Sequence, residues 1–164
     1  MEEDINKLLL IASGAGDVDR TKELLDMGAD VESRDDENWT PIMNAYHNEK
    51  MMDLLVRYDV NVNAKSLNGN TTLILINITE KGKQVISRII KLLKYRADIS
   101  IHNKWNKSCL DFNKTMWKEN ETIQKLIINK QPHNIKLFDD KIGILPQLKE
   151  KYKEIIELAE MGLF

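Results

Sequence analysis

Two unrelated sequence markers recur along this chain at the same pair of intervals. An exit signal, Gly28-Ala29-Asp30-Val31-Glu32, returns as Asp59-Val60-Asn61-Val62-Asn63 and again as Arg96-Ala97-Asp98-Ile99-Ser100. An entry signal, Thr40-Pro41-Ile42, returns as Thr71-Thr72-Leu73 and as Ser108-Cys109-Leu110. Both series step by 31 and then 37 residues. Two markers sharing a period near 33 describe stacked units, each of which buries its apolar face only against its neighbours. The residue types supply the mechanism. Pro41 opens a helix where its missing N–H costs nothing and its fixed φ helps, and Thr40 before it offers an N-cap oxygen. Ile42 and Ala45 then face inward. Gly28 ends the preceding helix in a left-handed conformation. Val31, Val62 and Ile99 anchor the extended arm that leads to the next turn.

On these residues the chain resembles the ankyrin repeat family, whose signature joins Thr-Pro-Leu-His to a Gly-Ala-Asp-Val-Asn exit. The resemblance covers roughly residues 5–129 and is closest in the first two units. Asp59 and Arg96 stand in place of the exit glycine, and Thr72 and Cys109 in place of the proline. The implied fold is an all-α ankyrin-repeat solenoid of helix-turn-helix units joined by β-hairpin fingers. Its stack occupies 1–131, with units at about 5–34, 35–65, 66–102 and 103–130, and a helical C-terminal cap or extension follows over 132–164. Unit one carries Leu8, Leu9 and Ala12 on its inner helix, with Ala15-Gly16-Asp17 as the turn to the outer one. Unit two lacks two residues in the equivalent turn, at His47-Asn48-Glu49-Lys50. Unit three has a longer insertion there, Thr79 to Gln84. Beyond Pro132, Pro146 opens a helix whose stripe is Leu148, Tyr152, Ile155, Ile156 and Ala159. That stripe suits a cap over unit four, because the end of a stack must be covered; the alternative is a separate partner-binding helix.

Composition narrows the function classes. The 164 residues are 42% hydrophobic, enough for one continuous core. The apolar run Leu8–Ala12 is short and follows acidic residues, so it reads as a repeat helix rather than a signal peptide. A single cysteine, Cys109, allows no internal disulfide, and five Asn-x-Ser/Thr sites in an Asn-rich chain are read as composition. A cytoplasmic location, or delivery into a host cytosol, is expected. The net charge of −2 hides a division: residues 1–60 carry 6 basic and 15 acidic side chains, residues 61–130 carry 13 and 5. In a solenoid that split runs along the stack, either as solvated faces or as a steering field.

No phosphate-binding loop, dinucleotide fingerprint, His-Glu-x-x-His or Cys-x-x-Cys is present. His47, His102 and His133 lack ligand spacing, and Asp35-Asp36-Glu37 falls on a finger rather than in a pocket. A non-enzyme is expected, with no cofactor and no metal.

The resemblance implies binding at the hairpin tips and the concave inner-helix ends. Carried over position by position, it selects Arg34, Asp36, Glu37, Trp39, His47 and Asn48 in unit two. It selects Lys65, Leu67, Asn68, Asn70, Ile78 and Thr79 in unit three, and His102, Lys104, Trp105, Lys107, Thr115 and Met116 in unit four. Trp39 and Trp105 are the expected anchors, the alternative for each being a packing role; Trp117 is read as a packing residue. The expected function is a protein-binding adaptor or inhibitor, monomeric on its own and without a membrane. A bacterial effector acting on a host protein and a toxin inhibitor are the two settings considered, the Lys, Asn and Ile bias suiting an AT-rich genome. A nucleic-acid binder using basic units three and four is one alternative. Another is a viral-type substrate adaptor whose Leu145-Pro146 step resembles an F-box opening.

Overall fold

The computed structural model describes residues 4–79 and 83–163, with backbone alone at 83 and 84. The chain divides after Ile76 into two compact units. Met1–Glu3 and residues 80–82 of the expected insertion lie outside the described residues.

In the first unit, α1 (Ile5–Ala15) and α2 (Val18–Asp26) form one helix pair, and α3 (Pro41–Asn44) and α4 (Glu49–Arg57) form the next. Helix α1 packs on α2 and α3, and α4 packs on α2 and α3, so inner lies beside inner and outer beside outer. Short polar side chains start the helices. Asp4 accepts from the Asn6 N–H at 2.9 Å, Asp17 from the Arg20 N–H at 2.9 Å, and Asn48 from the Met51 N–H at 3.1 Å. Gly16 ends α1 at φ 76°, and a Cβ there would lie 2.9 Å from Asn48 Nδ2. Glycine therefore serves both the turn and the close approach of the next layer. Leu9, Leu24, Ile42, Met43, Ala45, Met51, Met52 and Leu55 fill the interior.

The cap expected of Thr40 is not made. Thr40 lies at the start of α3 with its side chain fully buried, and its Oγ1 finds no hydrogen-bond partner among the described residues. Pro41 at the first helical position, with its fixed φ, starts that short helix instead. The equivalent Thr71 does cap, accepting from the Ile74 N–H at 3.3 Å. Helix α5 (Thr72–Thr79) follows and runs into the second unit.

The second unit continues with α6 (Lys83–Lys94), whose partner is α8 (Glu121–Lys130). Unit four's inner helix departs from the pattern. A 3-10 turn over Cys109–Asp111 breaks at Phe112, and α7 (Lys114–Glu119) starts only after Asn113, at φ 49°. Asp111 closes the first turn: its carboxylate accepts from the Ser108 N–H at 2.7 Å, one half of a capping box, and from Lys141 Nζ at 2.9 Å.

The tail has more structure than the sequence pattern foretold. A 3-10 turn (Pro132–Asn134) leads into α9 (Ile135–Lys141), and the expected stripe spans α10 (Pro146–Lys151) and α11 (Lys153–Glu160), separated at Tyr152. Ile135, Phe138, Ile144, Leu148 and Ile156 are buried. The fully buried Trp117 meets Phe138 edge-on at 6.4 Å and donates its indole N–H to Asn77 Oδ1 at 3.2 Å.

Candidate functional site

The exits and fingers repeat atom by atom. Gly28, Asp59 and Arg96 all leave their helices in the left-handed region, at φ 95°, 60° and 65°. Two residues on, Asp30, Asn61 and Asp98 each accept the N–H of the residue two ahead, at 2.8, 2.9 and 2.8 Å. These side-chain turns aim the arm into the next finger. No residue of the three fingers is in a strand; each is a tight turn closed by two backbone bonds, one of them running from the first residue to the carbonyl of the fifth. Asp35 donates to Trp39 O at 3.1 Å, Ser66 to Asn70 O at 3.0 Å, and Asn103 to Lys107 O at 2.9 Å. The third turn residue is again left-handed: Asn38 at φ 60°, Gly69 at 75° and Asn106 at 55°. Asp35 and Asn103 brace their turns from within, each carboxylate or amide oxygen accepting two backbone N–H groups at 2.8–3.0 Å.

This register assigns the fingertip positions. The two residues at each tip are Asp36-Glu37, Leu67-Asn68 and Lys104-Trp105, and all six are exposed. Leu67 is 50% and Trp105 62% exposed. Trp39 is not equivalent to Trp105. It occupies the closing position shared with Asn70 and Lys107, where the backbone turns back toward the body. Accordingly Trp39 is half-buried, packing on Met43, Ala64 and Leu75 and meeting Tyr46 edge-on at 6.4 Å, while Asn70 is buried. The packing alternative is the one observed for Trp39, and the same position withdraws Asn70 from the surface.

Other candidates fall between these cases. Arg34 is exposed, but its guanidinium ties two fingers together, donating to Asn38 O at 3.2 Å and Lys65 O at 3.1 Å. Leu67 N–H donates to Glu37 O at 3.0 Å in the same brace. Lys65, His47, Ile78, Thr79, Lys107 and Thr115 are exposed, whereas His102 and Met116 are half-buried. Asn48 is the N-cap of α4 and half-buried, a role readable from its place 31 residues after the Asp17 cap.

Missed by the sequence reading is a groove of about 700 Å³ in the first unit, between α1 and the first finger. Leu10, Ile11 and Gly14 line it along the helix, with Ser33, Arg34, Asp35 and Asp36 opposite. Ile11, 59% exposed, is one of its apolar lining residues. The signal available was an isoleucine on the polar side of an inner helix.

Among the described residues no group of three His, Cys, Asp or Glu side chains could hold a metal ion. Burial pushes the Cys109 thiol up, away from a reactive thiolate. Burial also acts to raise the Asp111 carboxyl, but hydrogen bonds from Lys141 and Ser108 outweigh it and hold the group at about 2. That carboxylate is a structural acceptor. No helix among the described residues is long and apolar enough to cross a membrane.

Comparison with curated proteins returns no match. The family model for ankyrin repeats, in three copies, matches residues 8–103, from the first inner helix to the first residue of the third finger. Ankyrin repeats generally mediate protein–protein interaction and are typically non-catalytic. With more than half its length matched, and its exits and fingers recurring in one register, the chain belongs to the ankyrin repeat family.

Proposed function

We propose that this protein is a non-catalytic binding module, an adaptor or inhibitor, that holds a protein partner on its fingertips and inner-helix faces. One observation carries the reading. The tip positions 36–37, 67–68 and 104–105 are held by the hydrogen bonds of their turns yet contribute no buried side chain to the core. Large apolar groups stand out from them at Leu67 and Trp105. Side chains released from folding duty on a fixed backbone bind with little loss of entropy, and exposed tryptophan is a favoured interface anchor. Asp36, Glu37, Lys65 and Asn68 supply polar contacts in the first unit, where Ile11 and its groove extend the surface, and Lys104 and Lys107 supply them in the second.

Residues 132–164 act as the stack's cap in this reading. Support comes from the polar contacts that bind them to unit four: Gln124 spans Trp117 O, at 3.1 Å, and the Leu145 N–H, at 2.8 Å. Affinity capture with wild type and with a Leu67→Ala, Trp105→Ala variant tests the function. The variant loses the partner by at least about tenfold while its melting temperature is unchanged; equal recovery contradicts the proposal. A host protein in the wild-type capture assigns the effector role, and a bacterial toxin assigns the inhibitor role.

A further inference from the structure

We infer that the third fingertip, Lys104-Trp105-Asn106-Lys107, docks an acidic, apolar-bearing segment of the partner. This rests on the fingertip reading above and adds the partner's chemistry. The indole of Trp105 is 62% exposed at the apex of a turn whose backbone is fixed by Asn103 Oδ1, which accepts from the Trp105 and Lys107 N–H groups, both at 3.0 Å. Lys104 and Lys107 flank it, both exposed. Neither has an ion-pair or hydrogen-bond partner for its ammonium among the described residues.

The lack of internal partners has a structural cause. From Ile99 to Leu110 the chain has no carboxylate, and the two that bound this stretch are already engaged. Asp98 accepts from the Ser100 N–H at 2.8 Å and from Asn134 Nδ2 at 3.0 Å, and Asp111 accepts from Ser108 and Lys141. The fold thus engages its own nearby acids and leaves Lys104 and Lys107 exposed in the turn that carries Trp105. The complement is a carboxylate pair around an apolar side chain, which covers the indole and excludes water from the charge pairs. A nucleic-acid strand asks for successive stacking platforms. No other Trp, Tyr or Phe among the described residues of the second unit is exposed, so the observations favour a protein segment.

The test uses the full chain, labelled with nitrogen-15. A Trp105→Phe variant identifies the Trp105 indole N–H resonance. Three probes are titrated: a synthetic glutamate–leucine peptide, a lysine–leucine peptide of equal length, and oligothymidine. The acidic peptide should move the Trp105 resonance and leave those of Trp39 and Trp117 in place. A Lys104→Glu, Lys107→Glu variant with an unchanged spectrum elsewhere should weaken that binding at least about tenfold. A response to oligothymidine alone makes this a nucleic-acid site and overturns the inference. So does an equal response to both peptides, or a response to none of the probes. A captured partner that needs Leu67 and the Ile11 groove, but is indifferent to the two lysine reversals, removes this inference and leaves the binding-module reading standing.

Discussion

The two compact units solve one problem differently. In the first, polar side chains accept the exit N–H groups. Asn6 Oδ1, from the same repeat, accepts the Asp30 N–H at 2.8 Å, and Glu32 Oε1, from the repeat before, accepts the equivalent Asn61 N–H at 2.6 Å. In the second unit the same exit backbone appears at Ala97–Ile99, and Gln131, the last residue of the stack, supplies its partners. Gln131 donates to Ala97 O at 2.6 Å and accepts from the Ile99 N–H at 3.2 Å, while Asn134 bonds both Gln131 and Asp98. Where the repeat pattern runs out, one buried amide side chain, Gln131, takes over the backbone hydrogen bonding at the exit, and Asn134 bonds that amide and the Asp98 carboxylate. The lesson is that periodic backbone can be terminated without a further repeat, provided every buried donor and acceptor finds a partner.

Breaking the second solution should cost most where packing and hydrogen bonding coincide. Trp117→Ala removes a fully buried ring from between Asn77 and Phe138 and should destabilise the protein by about 3–5 kcal/mol in a denaturant titration. A loss under about 1 kcal/mol would mean that the tail does not pack as described. Gln131→Ala strands Ala97 O and the Ile99 N–H together and should cost about 1–3 kcal/mol.

The Lys141–Asp111 contact gives the comparison a pH signature. Asp111 is held below the ordinary carboxylate range, so its contribution is complete above about pH 4 and is lost as pH falls through about 2. Lys141→Met should flatten the fall in stability over that acid window. An unchanged profile would deny the contact its role.

Smaller still is the effect at the exits. Asp59 occupies a left-handed position where Gly28 stands one repeat earlier, so Asp59→Gly should stabilise by about 0.5 kcal/mol. Last comes Trp105→Ala, whose stability change should stay within about 0.5 kcal/mol, because the ring touches little. A larger loss would place that indole in the core beside Trp39.

What could be read from the sequence follows the same division. Gly28 and the Pro41 helix start were legible because each is a local backbone demand met by residue type, whereas Asp59 and Arg96 were legible only from their register with Gly28. The fingertip assignment was half legible. Counting 31 and 37 residues from Trp39 reaches Asn70 and Lys107, closing positions, whereas Trp105 aligns with Glu37 and Asn68. Treating the two tryptophans as equivalent overlooked a shift of two residues. The amide network of Gln124, Gln131 and Asn134 was not legible, because its partners lie as far as 36 residues away and no earlier exit has a glutamine or asparagine pair in this role. The Lys141–Asp111 contact was hidden because it joins unit four to a residue of the tail 30 positions on.

The recurring register can be measured directly, residue by residue, in solution. Backbone coupling constants and intraresidue amide–Hα Overhauser effects report the sign of φ at Asn38, Asp59, Arg96 and Asn106 in the full chain. Left-handed values at all four, two exits and two fingers in one register, are what the account predicts. Negative φ at Arg96 and Asn106 would mean that the third exit and finger are not copies of the earlier ones, and would contradict it.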